Sequence, residues 1–191
     1  MSILKVARMG HPALRRKTRP LSPSEITTAG VQTLIDDMTQ TMLEYRGVGL
    51  AAPQVHEDVR LFVSQVITSD DEPDEGAGEI DEAPARRPTP IQVMAVINPE
   101  IAPLTRKVEE DWEGCLSIPD LRGLVPRYRD IRVRGYDRTG ERVEIKASGY
   151  MARVIQHETD HLDGVLFLDR MKSLESLSFL DEYARYHADR D

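Results

Sequence analysis

Residues 149–162 read as a helix, and what its inward face carries constrains the chain more than any other feature. His157, Glu158, Thr159, Asp160 and His161 run together. Two histidines four apart project from one side of a helix, with a glutamate beside them. Val154, His157, Glu158 and His161 share the face that turns to the interior, and Gly164 stands just beyond the end as a stop. Polar groups buried without partners cost about 2 kcal/mol or more each. One metal ion held by both imidazoles removes that cost, and Glu158 is then placed as a general base for a water at the ion. The pattern points to a metal-dependent hydrolase. Asp160 and Asp163 are candidates to support the ligands.

Two histidines need a third protein ligand to leave one open position on a tetrahedral ion. Cys115, in Glu113-Gly114-Cys115-Leu116-Ser117, is the single cysteine and cannot close an internal disulfide. A third histidine six residues after the second would mark a different zinc-enzyme pattern, but that position is Phe167. A glutamate on a later helix would mark another, with Glu182 its best candidate. Cys115 and Glu182 remain the two choices at this point. A further segment, Gly47-Val48-Gly49-Leu50-Ala51-Ala52-Pro53-Gln54, is tight and small enough for its backbone to approach another chain, and Gln54 can donate a hydrogen bond to a substrate oxygen.

The 191 residues suit one domain, 1–191, with a sizeable core. Ser22-Pro23-Ser24-Glu25 predicts a helix start with a capping box. Val31, Leu34, Ile35, Met38, Met42 and Tyr45 continue it to a stop at Gly47. Strands are predicted at 59–66, 93–97, 131–136 and 142–145, with a weaker one at 100–112 and a hairpin turn at 137–140. A last helix is predicted over 173–187. The fold class is α+β, with short, largely antiparallel strands packed around a central metal-binding helix and with an N-terminal and a C-terminal helix.

Asp70, Asp71, Glu72, Asp74, Glu75, Glu79, Asp81 and Glu82 carry eight charges, equal to the whole formal net charge of −8. Residues 68–90 also hold four prolines and almost no large apolar side chain, so an acidic mobile loop is expected there. The acidic balance argues against broad binding to nucleic-acid phosphates, which needs a basic surface, and no direct sequence-specific nucleic-acid binding is expected. No apolar run is long enough to span a bilayer, and the first residues lack a secretory or organelle leader. A reducing cytoplasm, where Cys115 stays a free thiolate, is the expected compartment.

Taken in order, Gly47 to Gln54, Glu113 to Ser117, and Gln156 to Leu162 (Gln-His-Glu-Thr-Asp-His-Leu) resemble the motifs of the peptide deformylase family, over about residues 4–171. The resemblance implies that Cys115, His157 and His161 hold one divalent metal and leaves Glu182 out. Iron(II) leads, with zinc, nickel or cobalt as alternatives. It implies a hydrolase that removes the formyl group from the N-terminal formylmethionine of new polypeptides and releases formate. Glu158 would move the proton, with Gln54 and the Leu116 N–H as oxyanion donors. Val48, Gly49, Arg122 and Val154 would bind the substrate, Gly49 by strand addition. The partners are formylmethionyl nascent peptides, with at most transient ribosome contact, and the enzyme is expected to be a monomer.

The acidic segment is longer than the family's usual hairpin. The net-acidic tail from Lys172 argues against docking on ribosomal RNA. Two competing readings are a metallopeptidase cutting internal bonds, with Glu182 as ligand, and a metal-bearing module that binds peptides without turnover. His11, His56 and His187 have no ligand-like spacing and read as surface or structural residues.

Overall fold

The computed structural model describes residues 2–66 and 92–188. The acidic stretch expected at 68–90 lies outside the described residues.

The predicted capping box forms: the Glu25 N–H donates to Ser22 Oγ, and the Ser22 N–H donates to Glu25 Oε2 at 2.8 Å. It caps only a single turn, α1 (Pro23–Ile26), because the chain breaks at Thr27 and Thr28. Thr28 Oγ1 donates to the Glu25 carbonyl at 2.7 Å and Gln32 Nε2 to the Ile26 carbonyl at 2.8 Å, so side chains take the carbonyls that a continuous helix would use. The long N-terminal helix is therefore α2 (Ala29–Glu44), which ends short of Gly47. The Arg46 N–H donates to Leu43 O and the Gly47 N–H to Met42 O at 2.8 Å, the two bonds of a Schellman closure. The residue in left-handed backbone is Arg46, at φ 54°, and not the expected glycine.

Among the described residues, eight strands follow in two sheets. β1 (Gly49–Ala51), β2 (Leu61–Gln65), β3 (Val93–Pro103), β6 (Asp130–Tyr136) and β7 (Arg142–Ser148) form a five-stranded sheet in the order β1-β2-β3-β6-β7. β4 (Val108–Cys115), β5 (Ile118–Tyr128) and β8 (Ser178–Phe179) form a second sheet in the order β4-β5-β8. Every strand pairing is antiparallel. The predicted turn after β6 is present, with the Asp137 N–H bonded to Glu141 O and Gly140 at φ 83°.

Three expectations are corrected. The weak strand at 100–112 is the end of β3, a turn and most of β4. β5 was not expected, because Pro119, Gly123 and Pro126 interrupt its pattern; on its second side it pairs only at Leu121 and Arg122, which leaves room for prolines. The C-terminal segment is not one helix. Leu174–Ser176 is a single 3-10 turn, Ser178 and Phe179 are drawn into pairing with β5, and only α5 (Leu180–Tyr186) is α-helical, packed through Tyr183 and His187 onto Trp112.

β2 is buried on both faces. Leu61 and Val63 join Ile35, Met38 and Met42 of α2 in one core cluster, while Phe62 joins Val96, Ile131, Val133 and Ile155 in another. Ile155 belongs to α3 (Gly149–Leu162), so α2 and α3 cover opposite faces of the larger sheet. Each fully buried side chain of this size contributes about 1.5–3 kcal/mol. A third cluster, with Leu14, Ile118, Val125 and Phe167, joins the N-terminal segment and β5 to α4 (Phe167–Arg170). Lying between the two sheets, α3 is buried at every residue from Ala152 to Leu162.

Candidate metal centre and active site

A helix buried all round must satisfy its polar residues internally, and for Arg153, Gln156, His157 and Asp160 of α3 the partners come from β4, β5 and α4. Arg153 Nη1 donates to Glu113 Oε1 at 2.9 Å and to the Val125 carbonyl at 2.7 Å. Gln156 Nε2 donates to the Tyr128 carbonyl at 2.8 Å, and its Oε1 accepts from the Tyr128 N–H. Arg170 and Arg127 both donate to Asp160. Arg127 also forks onto Glu113, with Nε to Oε1 at 2.9 Å and Nη2 to Oε2 at 3.0 Å. Glu113 Oε2 is 2.9 Å from His157 Nδ1. Burial raises the Glu113 carboxyl, but its bonds to His157 and Arg127 outweigh that and hold it well below the usual carboxylate range. Anchored at Nδ1, the His157 ring presents Nε2 to the cavity.

The β4–β5 hairpin delivers the sulfur. The ladder shifts register between Glu113 and Cys115, Cys115 pairs with Ile118, and Leu116-Ser117 is the two-residue turn between them. Cys115 Sγ lies 3.2 Å from His161 Nε2, and one ligand atom from each of Cys115, His157 and His161 falls within 4.8 Å of the others. A single ion bonded at about 2.0–2.3 Å to sulfur and nitrogen requires such spacing. The donor chemistry agrees. Burial pushes the Cys115 thiol up, but the charge on His161 and the hydrogen bonds from both histidines hold it well below its ordinary value, as a thiolate ligand needs. The Ser117 N–H and Gln54 Nε2 also donate to Sγ, at 3.4 and 3.6 Å. The three residues fit one divalent metal.

Glu158 points into the same space. Its Oε2 is buried without a hydrogen-bond partner among the described residues, and burial pushes the carboxyl up to about 7 against the pull of His157 and His161. Its side chain packs on Gly49 of β1 so closely that a Cβ there would lie 2.7 Å from Cδ. Gln54 sits in the turn after β1, where Oε1 accepts from the Ala51 N–H at 2.8 Å. That bond leaves Nε2 facing Cys115 and Ser117.

Val48, Gly49, Gln54, Cys115, Leu116, Arg122, Val154, His157 and Glu158 all line one cavity of about 640 Å³. His161 lies behind it, reaching the site through its contact with Cys115. The fold thus brings together residues from four separate segments. Glu182 does not join them; it is exposed on α5, 3.8 Å from Arg185. Asp160 and Asp163 bind arginines and not the ligand histidines. The partner of His157 is Glu113, two residues before the cysteine, which the sequence reading passed over.

The sequence profile of polypeptide deformylases matches residues 3–177. The chain belongs to the polypeptide deformylase family. This deformylase is 43% identical over 176 residues to peptide deformylase 1 of Bordetella pertussis, covering 92% of each chain. It is 46% identical over 171 residues to a peptide deformylase of Salinibacter ruber, covering 90% of this chain and 82% of that one. Among solved structures, the Met-Ala-Ser-bound class I type b peptide deformylase of Acinetobacter baumannii superposes with a TM-score of 0.74 at 36% identity, over 90% of this chain and 100% of the other. The peptide deformylase of Thermotoga maritima superposes with a TM-score of 0.73 at 36% identity, over 91% and 100%. Among the described residues, no helix of this deformylase is long and apolar enough to cross a membrane.

Proposed function

We propose that this deformylase holds one iron(II) ion on Cys115, His157 and His161, with zinc, nickel or cobalt as functional replacements. Its reaction is removal of the formyl group from formylmethionyl peptides. The observation that carries this reading is the convergence of Cys115, His157 and His161, the first two on the wall of the cavity that Glu158 also lines and His161 reaching Cys115 from behind it. When bound, the ion supplies Lewis acidity, lowering the pKa of a water toward about 7 and polarising the formyl oxygen.

Glu158 accepts the proton of the attacking water and delivers it to the leaving amine. The new bond joins the water oxygen to the formyl carbon, the carbon–nitrogen bond breaks, and formate leaves a free N-terminus. Gln54 Nε2, aimed by the Ala51 N–H, and the Leu116 N–H donate to the developing oxyanion. Gly49 offers its backbone to the substrate as an added strand. Val48 and Val154 line the slot for the methionine side chain, and Arg122 orients the chain beyond it. Arg122 is supported by Gly114, where a Cβ would lie 2.8 Å from its Nε. The enzyme works as a cytoplasmic monomer, one catalytic unit over 1–191, with only transient ribosome contact.

The test is formate release from a formyl-Met peptide by anaerobically purified protein, with elemental analysis of the same sample. Turnover with one iron per chain is expected. Glu158→Gln should keep the metal and abolish turnover. Cleavage of internal peptide bonds without formate, or tight peptide binding without turnover, would overturn the reading.

A further inference from the structure

The mouth of this cavity carries cations that the chemistry leaves unused. Arg8 and Arg46 line it, both exposed, and neither has an ion pair or side-chain hydrogen bond among the described residues. The exposed part of the wall holds one carboxylate, Asp120, since Glu113 and Glu158 are buried inside. This positive rim belongs to a chain whose formal net charge is −8.

Both arginines are held in place by backbone. Arg8 lies between two bonds, Ala7 N–H to Gln54 O at 2.7 Å and Met9 N–H to Ser117 O at 2.8 Å, which tie the N-terminal segment to the turns carrying Gln54 and Cys115. Arg46 occupies the left-handed position of the Schellman closure, at φ 54°. Glycine is the residue that position favours, and a side chain there is strained. A cation does complement the C-terminal pole of α2, but it could do so from the last helical turn without that strain. Strain kept at the edge of a cavity, on an unpaired charge, points to a role in what the cavity receives.

Resting on the deformylase reading of the site, we propose that Arg8 and Arg46 select nascent chains bearing acidic residues just after the formylmethionine. A peptide extended from the catalytic centre advances about 3.3 Å per residue, so the residues next after methionine still lie within the cavity whose wall includes Arg8 and Arg46. Exposed ion pairs are individually weak, so the selection is a bias of severalfold and not a gate.

The experiment compares kcat/KM for formate release from formyl-Met-Glu-Glu-Ser, formyl-Met-Gln-Gln-Ser and formyl-Met-Lys-Lys-Ser, all amidated at the C-terminus. The Glu peptide should exceed the Gln peptide by about threefold to tenfold at low salt, with the Lys peptide lowest. The ratio should collapse toward one near 1 M salt, where screening acts within about 3 Å. Arg46→Gly relieves the backbone while removing the cation, so the variant folds; it should lower the Glu/Gln ratio by about threefold. Adding Arg8→Ala should bring the ratio close to one.

Equal rates for Glu and Gln peptides at low salt, or an unchanged ratio in the double variant, would overturn the inference and leave deformylation standing. If no peptide releases formate, deformylation fails instead. The affinities of the same peptides for the metal-loaded protein then decide the selection by the same ratios.

Discussion

Removing the Glu113 carboxylate should damage both the fold and the metal site, by separable amounts. Glu113 is the shared acceptor for Arg127, Arg153 and His157, each at 2.9 Å in its shortest contact. In Glu113→Ala two buried guanidiniums lose that carboxylate, and Asp160 alone remains for Arg127. Breaking a buried ion pair by deleting one partner costs about 3–5 kcal/mol. At about 2–4 °C per kcal/mol for a domain of this size, Tm should fall by about 6–20 °C. Independently, the His157 ring loses its anchor, and loss of such a support lowers metal affinity by about 10–100-fold. Glu113→Gln keeps one acceptor oxygen and should show a smaller stability loss with a comparable loss in metal affinity, because the negative charge behind the imidazole is gone. Urea unfolding in a fixed excess of metal measures the first effect, since bound ligand itself shifts apparent stability. Competitive chelator titration measures the second. A Glu113→Ala protein within about 1 kcal/mol of wild type, with unchanged metal affinity, would refute the claim that this carboxylate couples the arginines to the site.

Gly49→Ala places a methyl group 2.7 Å from Glu158 Cδ, so the carboxylate must move; kcat should fall by about 100-fold or more while metal content stays unchanged by elemental analysis. On the proposed mechanism Gln54→Leu removes one oxyanion donor, and kcat for formate release should drop by about 10²–10³-fold with a smaller change in KM. Glu25 is held at about 2 by the Ser22 N–H first, then by the Ser22 hydroxyl and Arg19. Its native value lies below the unfolded one, so its stabilisation is present above about pH 4.5 and is lost as pH falls toward 2. Tm measured against pH should therefore lose part of its acid slope in Glu25→Gln, and an unchanged slope would show that the capping box carries no such linkage.

What the linear chain determined is what depends on neighbours a few residues apart. The four-residue spacing of His157 and His161, the inward placement of Glu158, the Ser22–Glu25 capping box and the 137–140 turn are set by local backbone geometry, and all are present in the fold. The deformylase motifs were legible in the same way, each being a short contiguous run. Tertiary structure decided whatever depends on partners far apart in sequence. The register shift in β4 carries Cys115 to His161, 46 residues away, while Glu182 stays exposed on α5. Glu113 meets His157 across 44 residues, and Arg127 meets Asp160 across 33. β5 forms despite two prolines because β4 pairs along it, and β8 exists only because β5 offers it an edge. Periodicity reports which side of an element faces inward; it holds no record of which inward faces meet, because that depends on how the remainder of the chain fills the space between them.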